Sequence, residues 1–150
     1  MRQVANILWH FPFFGFITAS LAYLIGLLLV ALVVTAPIGL GIMEIAKMLF
    51  APYTRDLVDE KVLKDYQEKP RNQLWEKYKT IVQILWYIPG FFLFLGTLFQ
   101  GIALCFTIIG IPVGLVAIKT STKYLSPVGK KCVPKSVTDE LERRQAAQYV

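Results

Sequence analysis

The chain has 150 residues, 55% of them hydrophobic, with a mean hydropathy of +0.53 and a formal net charge of +6. That apolar share exceeds the usual one for a soluble domain. No Asp, Glu, Lys or Arg occurs from Gln3 to Met43 or from Thr80 to Ile118. Roughly 40 helical residues would span about 60 Å at about 1.5 Å per residue, against a hydrocarbon layer about 30 Å thick. Each tract is therefore long enough to cross a bilayer twice, and neither carries the polar stripe of a soluble core helix. A signal peptide is excluded for the first tract by its length and by the return of the pattern deep in the chain.

In chain order, residues 3–11 form a short apolar segment with Trp9, an aromatic suited to the membrane interface. Pro12 is expected to break it, because proline lacks the amide donor of a helix interior. An arm over 13–34 follows, Pro37 begins a returning helix, and that helix ends near Ala51, before Pro52. Asp56 is placed to cap a helix running to about Glu68, with Leu57, Val58, Val62, Leu63 and Tyr66 on its apolar face and Pro70 beyond it. Asn72 is placed to cap the next, where Leu74, Tyr78, Ile81, Val82 and Leu85 recur at helical spacing.

The second tract then repeats the first. Residues 80–88 carry Trp86 and Tyr87, Pro89 is the expected break, and an arm over 90–109 leads to Pro112 and a return ending near Ser126. In the tail, Ser136 and Asp139 suggest a capping box and a final polar helix. The expected parts are a membrane hairpin over 1–55, a cytoplasmic helical linker over 56–79, a second hairpin over 80–131 and a cytoplasmic tail over 132–150. The fold class expected is an all-α membrane protein with four membrane helices. The returning ones are short, since fifteen residues make only about 22 Å.

Two stretches make the duplication explicit. N-I-L-W-H-F-P from Asn6 answers Q-I-L-W-Y-I-P from Gln83, and Pro37-Ile38-Gly39-Leu40 answers Pro112-Val113-Gly114-Leu115. Pro52 and Pro127 continue the series, in the same order and orientation. Such a parallel repeat is usually related by an axis along the membrane normal. Arg2, the Arg55–Lys79 loop and the Lys130–Arg144 tail hold nearly all the basic residues, which places both termini and the loop in the cytoplasm. The positive charge also suits anionic headgroups of the bilayer. Nucleic acid is excluded as a partner, because acids and bases interleave in the loop.

The run I-I-G-I-P-V-G from Ile108, then Lys119 and S-P-V-G-K from Ser126, resembles the YccF family of small bacterial inner-membrane proteins. N-I-L-W from Asn6 and M-E-I-A-K from Met43 fit the same family. The resemblance implies an inner-membrane component domain with internal duplication, and it implies no reaction.

The residues themselves offer little chemistry. One histidine, His10, beside Trp9, reads as an interfacial polar residue, and Cys105 and Cys132 are too few and too separated for a disulfide framework. Met43 and Met48 read as apolar filler. Metal-binding spacings, P-loops and nucleophile elbows are missing, so neither an enzyme nor a cofactor is expected. Charges at membrane depth are costly and face protein or water, which singles out Glu44, Lys47 and Lys119. Glu44 can pair locally with Lys47, while the repeat sets it opposite Lys119. A Glu44–Lys119 pair would glue the hairpins or gate an ion path. Pro37, Gly39, Pro112 and Gly114 begin the short helices, whose N-termini offer partial positive charge to an anion in a pathway. Two classes follow: an oligomeric channel or transport component for a small ion, or a structural subunit packing against a partner protein. Gly15, Gly26, Gly39 and Gly41, with Gly96, Gly101, Gly110 and Gly114, suit close helix contacts in either class.

Overall fold

A computed structural model describes residues 2–11, 15–67, 70 and 72–148. The chain runs α1 (Arg2–His10), α2 (Gly15–Ala31), α3 (Ala36–Leu49), β1 (Arg55–Asp59), α4 (Glu60–Tyr66), α5 (Gln73–Cys105), α6 (Ile111–Leu125), β2 (Lys130–Pro134) and α7 (Lys135–Gln148). Helix dominates, with α2 and α3 packed as one hairpin and α5 and α6 as another.

Glycine decides how closely each hairpin closes. A Cβ added at Gly39 would lie 2.5 Å from the Gly26 carbonyl oxygen, and one at Gly114 would lie 2.6 Å from that of Gly101. Only a hydrogen there lets the helix backbones touch. Pro37 and Pro112 sit in the first turn of α3 and α6, where a missing amide costs no intrahelical bond. Ile45, Ala46 and Met48 of α3 are wholly buried. The outward faces of α2 and α5 are the reverse: Leu28 is 65% exposed and Phe92 70%. So broad an exposed apolar surface suits lipid and not water.

Among the described residues, α5 alone is long and apolar enough to cross a membrane, and α1 with α2 passes the same test only as a pair bent by 79°. With 14 and 15 residues, α3 and α6 reach only about 21–22 Å. The expectation of four membrane helices, two of them short, therefore meets one clear candidate span among the described residues.

Several boundaries differ from those expected. Pro89 lies inside α5, which continues from Gln73 to Cys105, so 80–88 is the lower part of one long helix and not a separate segment. One proline removes one amide donor, and the flanking turns carry the helix past it in apolar surroundings. Pro12 and Glu68 lie outside the described residues. Asn72 caps α5 as expected, its side-chain oxygen accepting from the Leu74 amide at 3.2 Å. Asp56 caps no helix: Arg55–Asp59 is a strand, and the helix begins only at Glu60. The tail helix is present but starts at Lys135, so Ser136 lies inside its first turn instead of at the cap.

The two strands are the largest departure from an all-α fold. β1 and β2 pair antiparallel, Arg55 with Pro134, Leu57 with Cys132 and Asp59 with Lys130. The Glu60 amide donates to the Gly129 carbonyl at 2.7 Å and the Lys135 amide to the Thr54 carbonyl at 2.9 Å, closing the ribbon at both ends. Along an antiparallel ladder, bonded and non-bonded pairs alternate. Pro134 and Cys132 thus fall on non-bonded positions, which is where a proline without an amide hydrogen is tolerated.

Candidate functional site

The ribbon gathers the charges. On α3, Glu44 takes the Lys47 ammonium at 2.8 Å on Oε1, and its Oε2 accepts the Cys132 amide of β2 at 2.9 Å. Lys131 of β2 stands 3.8 Å from the same carboxylate. On α6, the Lys119 ammonium meets Asp56 of β1 at 3.0 Å. The structure thus does not join Glu44 to Lys119. Each reaches the strand that follows the other hairpin, and Glu44 adds the local pair with Lys47. Strand pairing brings Lys131 and Asp56 to those helices, and no helical periodicity reports it.

Burial raises the Asp56 carboxyl, but its bond from the Leu57 amide and the neighbouring Lys119 and Lys123 outweigh that and hold it below its ordinary range. The Cys132 thiol is pushed up by burial, partly offset by Arg55, which favours its protonated form.

A second ionic cluster was not foreseen. The Lys79 side chain, 9% exposed, bonds to Glu60, lies 3.6 Å from Glu76 and sits 5.8 Å over the Trp75 ring. Lys64 approaches the same Glu60 at 3.1 Å. For Glu60 too, burial is outweighed by its lysines, so its carboxyl stands below the ordinary value. Glu60, Glu76 and Lys79 border a cavity of about 400 Å³ that Gln83, Ser126 and Gly129 also line. The available signal was the spacing of Glu76 and Lys79, one helical turn apart at the edge of the second apolar tract.

Tryptophan ties both hairpins to their returning helices in the same way. The Trp9 indole donates to the Leu49 carbonyl at 2.9 Å, and the Trp86 indole to the Tyr124 carbonyl at 3.0 Å. Each satisfies a carbonyl that the end of a helix leaves without an intrahelical partner. Asn6 and Gln83 repeat the arrangement: Asn6 accepts from the Tyr53 amide at 3.0 Å, and Gln83 from the Val128 amide at 3.2 Å. His10 Nε2 lies 2.8 Å from the Phe50 carbonyl, another anchor at this level.

A further cavity of about 180 Å³ lies against α6, with Val113, Ala117, Thr120 and Tyr124 on one face of that helix. Opposite stand Thr97, Gln100 and Leu104 of α5, with Trp9, Thr18 and Leu49 from the first hairpin. Thr18, Thr97, Gln100 and Thr120 give an otherwise apolar tract a hydroxyl and amide lining. Gly39 and Gly114 do not line it; both are buried at helix crossings. Pro37 borders a smaller cavity of about 80 Å³ beside Glu44, Lys79 and Lys131.

The family model for the inner membrane component domain, YccF, matches residues 4–55 and again 81–130. This chain belongs to the YccF family. Two relatives named inner membrane protein YccF, from Escherichia coli K12 and Shigella flexneri, are each 34% identical over 149 residues, 99% of this chain and 94% of theirs. No solved structure matches. Membership in the YccF family makes the chain a membrane protein and sets it among proteins of the bacterial inner membrane.

Proposed function

We propose that the protein is a non-enzymatic, multi-pass inner-membrane protein that acts as an oligomeric channel or transport component for a small ion. In this reading the two hairpins are parallel repeats about an axis along the membrane normal. The ribbon, α4, α7 and both termini face the cytoplasm, where most of the lysines and arginines are found.

The observation that carries the reading is the polar lining of the cavity along α6. Thr18 and Gln100 are exposed within tracts that otherwise meet lipid. An amide in hydrocarbon needs a partner, which water in a pathway or a neighbouring copy supplies. Two hairpins enclose little space alone, so a path would form between copies. The second reading, a subunit that packs against a partner protein, is favoured by the engagement of Glu44 and Lys119 in ion pairs that join the hairpins.

Purified protein in liposomes distinguishes the two. The transport reading expects ion flux that Gln100→Leu reduces about tenfold with the folded fraction unchanged, a transition-state or binding difference of about 1.4 kcal/mol. Wild-type protein that is folded and reconstituted yet passes no common ion overturns it in favour of the subunit reading.

A further inference from the structure

The ribbon carries a local twofold relation in its backbone. Leu57 and Cys132 stand equally far beyond Pro52 and Pro127, the prolines that follow their returning helices, and they are register partners. The bonds that close the ribbon are equivalents too, Glu60 to Gly129 and Lys135 to Thr54. Backbone geometry of this kind would fit two like halves as well as two unlike ones.

In a twofold contact, a residue at position i of one unit meets position j of the other, and j meets i. Here i is the place of Glu44 and Lys119, and j is the place of Asp56 and Lys131. The first half is acidic at both and the second basic at both. Glu44 consequently faces Lys131 at 3.8 Å, and Lys119 faces Asp56 at 3.0 Å. Two first halves would instead set Glu44 against Asp56 twice. Two second halves would set Lys119 against Lys131 twice. The neighbouring charges leave this balance in place. Lys47 sits on Glu44 from its own helix, and Lys123 adds to the positive field on Asp56. Arg55 against Asp59 would give a first-half pair some relief, whereas Lys130 would meet only Pro134 in a second-half pair.

We infer that this charge-swapped quartet is a recognition code: each half's ribbon face accepts an unlike half and rejects the like half of a second copy. Juxtaposed like charges disfavour wrong partners, and two such contacts per pair add up even though Lys119 and Lys131 are partly exposed. Contacts between copies must then use other surfaces. The inference stands whether or not the protein conducts ions.

One double variant separates attraction within the chain from rejection between copies. Asp56→Lys alone sets two lysines against each other. Asp56→Lys with Lys119→Glu restores an attractive pair, and leaves each half acidic at i and basic at j, so like halves become compatible. The proteins, all with Cys105→Ala, are refolded from denaturant into detergent and oxidised. With Leu57→Cys added, crosslinking to the opposed Cys132 reports the native ribbon, since non-bonded cross-strand pairs approach disulfide range. The single variant should slow this crosslink about tenfold and the double variant should recover it. With Leu57 retained, Cys132–Cys132 dimers between copies should be about tenfold more abundant in the double variant than in the wild type. Failure of the double variant to recover the ribbon overturns the code. Equal Cys132–Cys132 dimer yields in the two proteins, including none in either, also overturn it.

Discussion

The two hairpins share their backbone contacts and differ in nearly everything electrostatic. Gly26 meets Gly39 as Gly101 meets Gly114, and Trp9 holds Leu49 as Trp86 holds Tyr124. Yet Glu44 stands where the second half has Lys119, and Asp56 where it has Lys131. Helix continuity differs as well. The first half has separate α1 and α2, and the second has one α5 running through Pro89. Close packing tolerates no extra carbon at a glycine crossing, so the helix crossings are rigidly specified. A pair of charges can reverse as long as both members do.

The largest expected effect tests the shared part. Gly39→Leu or Gly114→Leu would drive a side chain into a neighbouring backbone, and either should destabilise the protein by about 3 kcal/mol or more in thermal unfolding. At Gly96 an added Cβ would meet no other atom within 4 Å. Gly96→Ala should therefore leave the unfolding midpoint nearly unchanged. Equal loss at Gly96 and Gly114 would break the view that crossings define the hairpin.

Acid tests the divergent part. Asp56 and Glu60 have carboxyls lowered on folding, so the folded chain binds their protons less readily than the unfolded one. Their contribution is complete above the unfolded values, about 4, and is lost as pH falls through the lowered folded ones. The unfolding midpoint should drop below about pH 4, and Asp56→Asn with Glu60→Gln should flatten that drop. At neutral pH, Asp56→Asn alone should cost about 1 kcal/mol, the modest worth of a partly exposed pair. A midpoint that rises on acidification would show that burial, and not the lysines, governs these groups.

The smallest effect lies at the opposite turns. Val33 has φ of 55°, a left-handed conformation costly for a β-branched residue, while Ile108 in the other turn is not in that region. Val33→Gly should stabilise the protein by about 1 kcal/mol, and Ile108→Gly should destabilise it by about 0.5–1 kcal/mol. Opposite signs in denaturant titration would sharpen the contrast between the hairpins, and equal signs would remove it.

Much of this was legible in linear order. Uncharged tracts, Pro37, Pro112 and the Asn72 cap are local signals, and they located α2, α3, α6 and the start of α5 within a few residues, whereas Pro89 suggested a break that α5 does not have. The ribbon was missed because Arg55–Asp59 and Lys130–Pro134 are short, and R-D-L-V-D reads equally well as the start of an amphipathic helix. The local Glu44–Lys47 pair was expected and is present, but Lys131 and Asp56, the cross-strand partners of Glu44 and Lys119, were missed because both lie on those strands. Lys79 was taken for a linker residue because its burial depends on Glu60 and Trp75 closing over it.

The sequence by itself determined the membrane class and the helix-forming tracts. Each of these rests on hydrophobicity and local backbone chemistry, which act over a few residues. Tertiary structure alone decided that Pro89 is passed and not obeyed, that two distant segments form a ribbon, and which charge meets which. The ribbon and its cross-strand charge pairs depend on atoms far apart in the chain, such as Lys130 and Asp59, 71 residues apart. At such separations the closing entropy has to be offset by many contacts at once, and no local pattern carries that information.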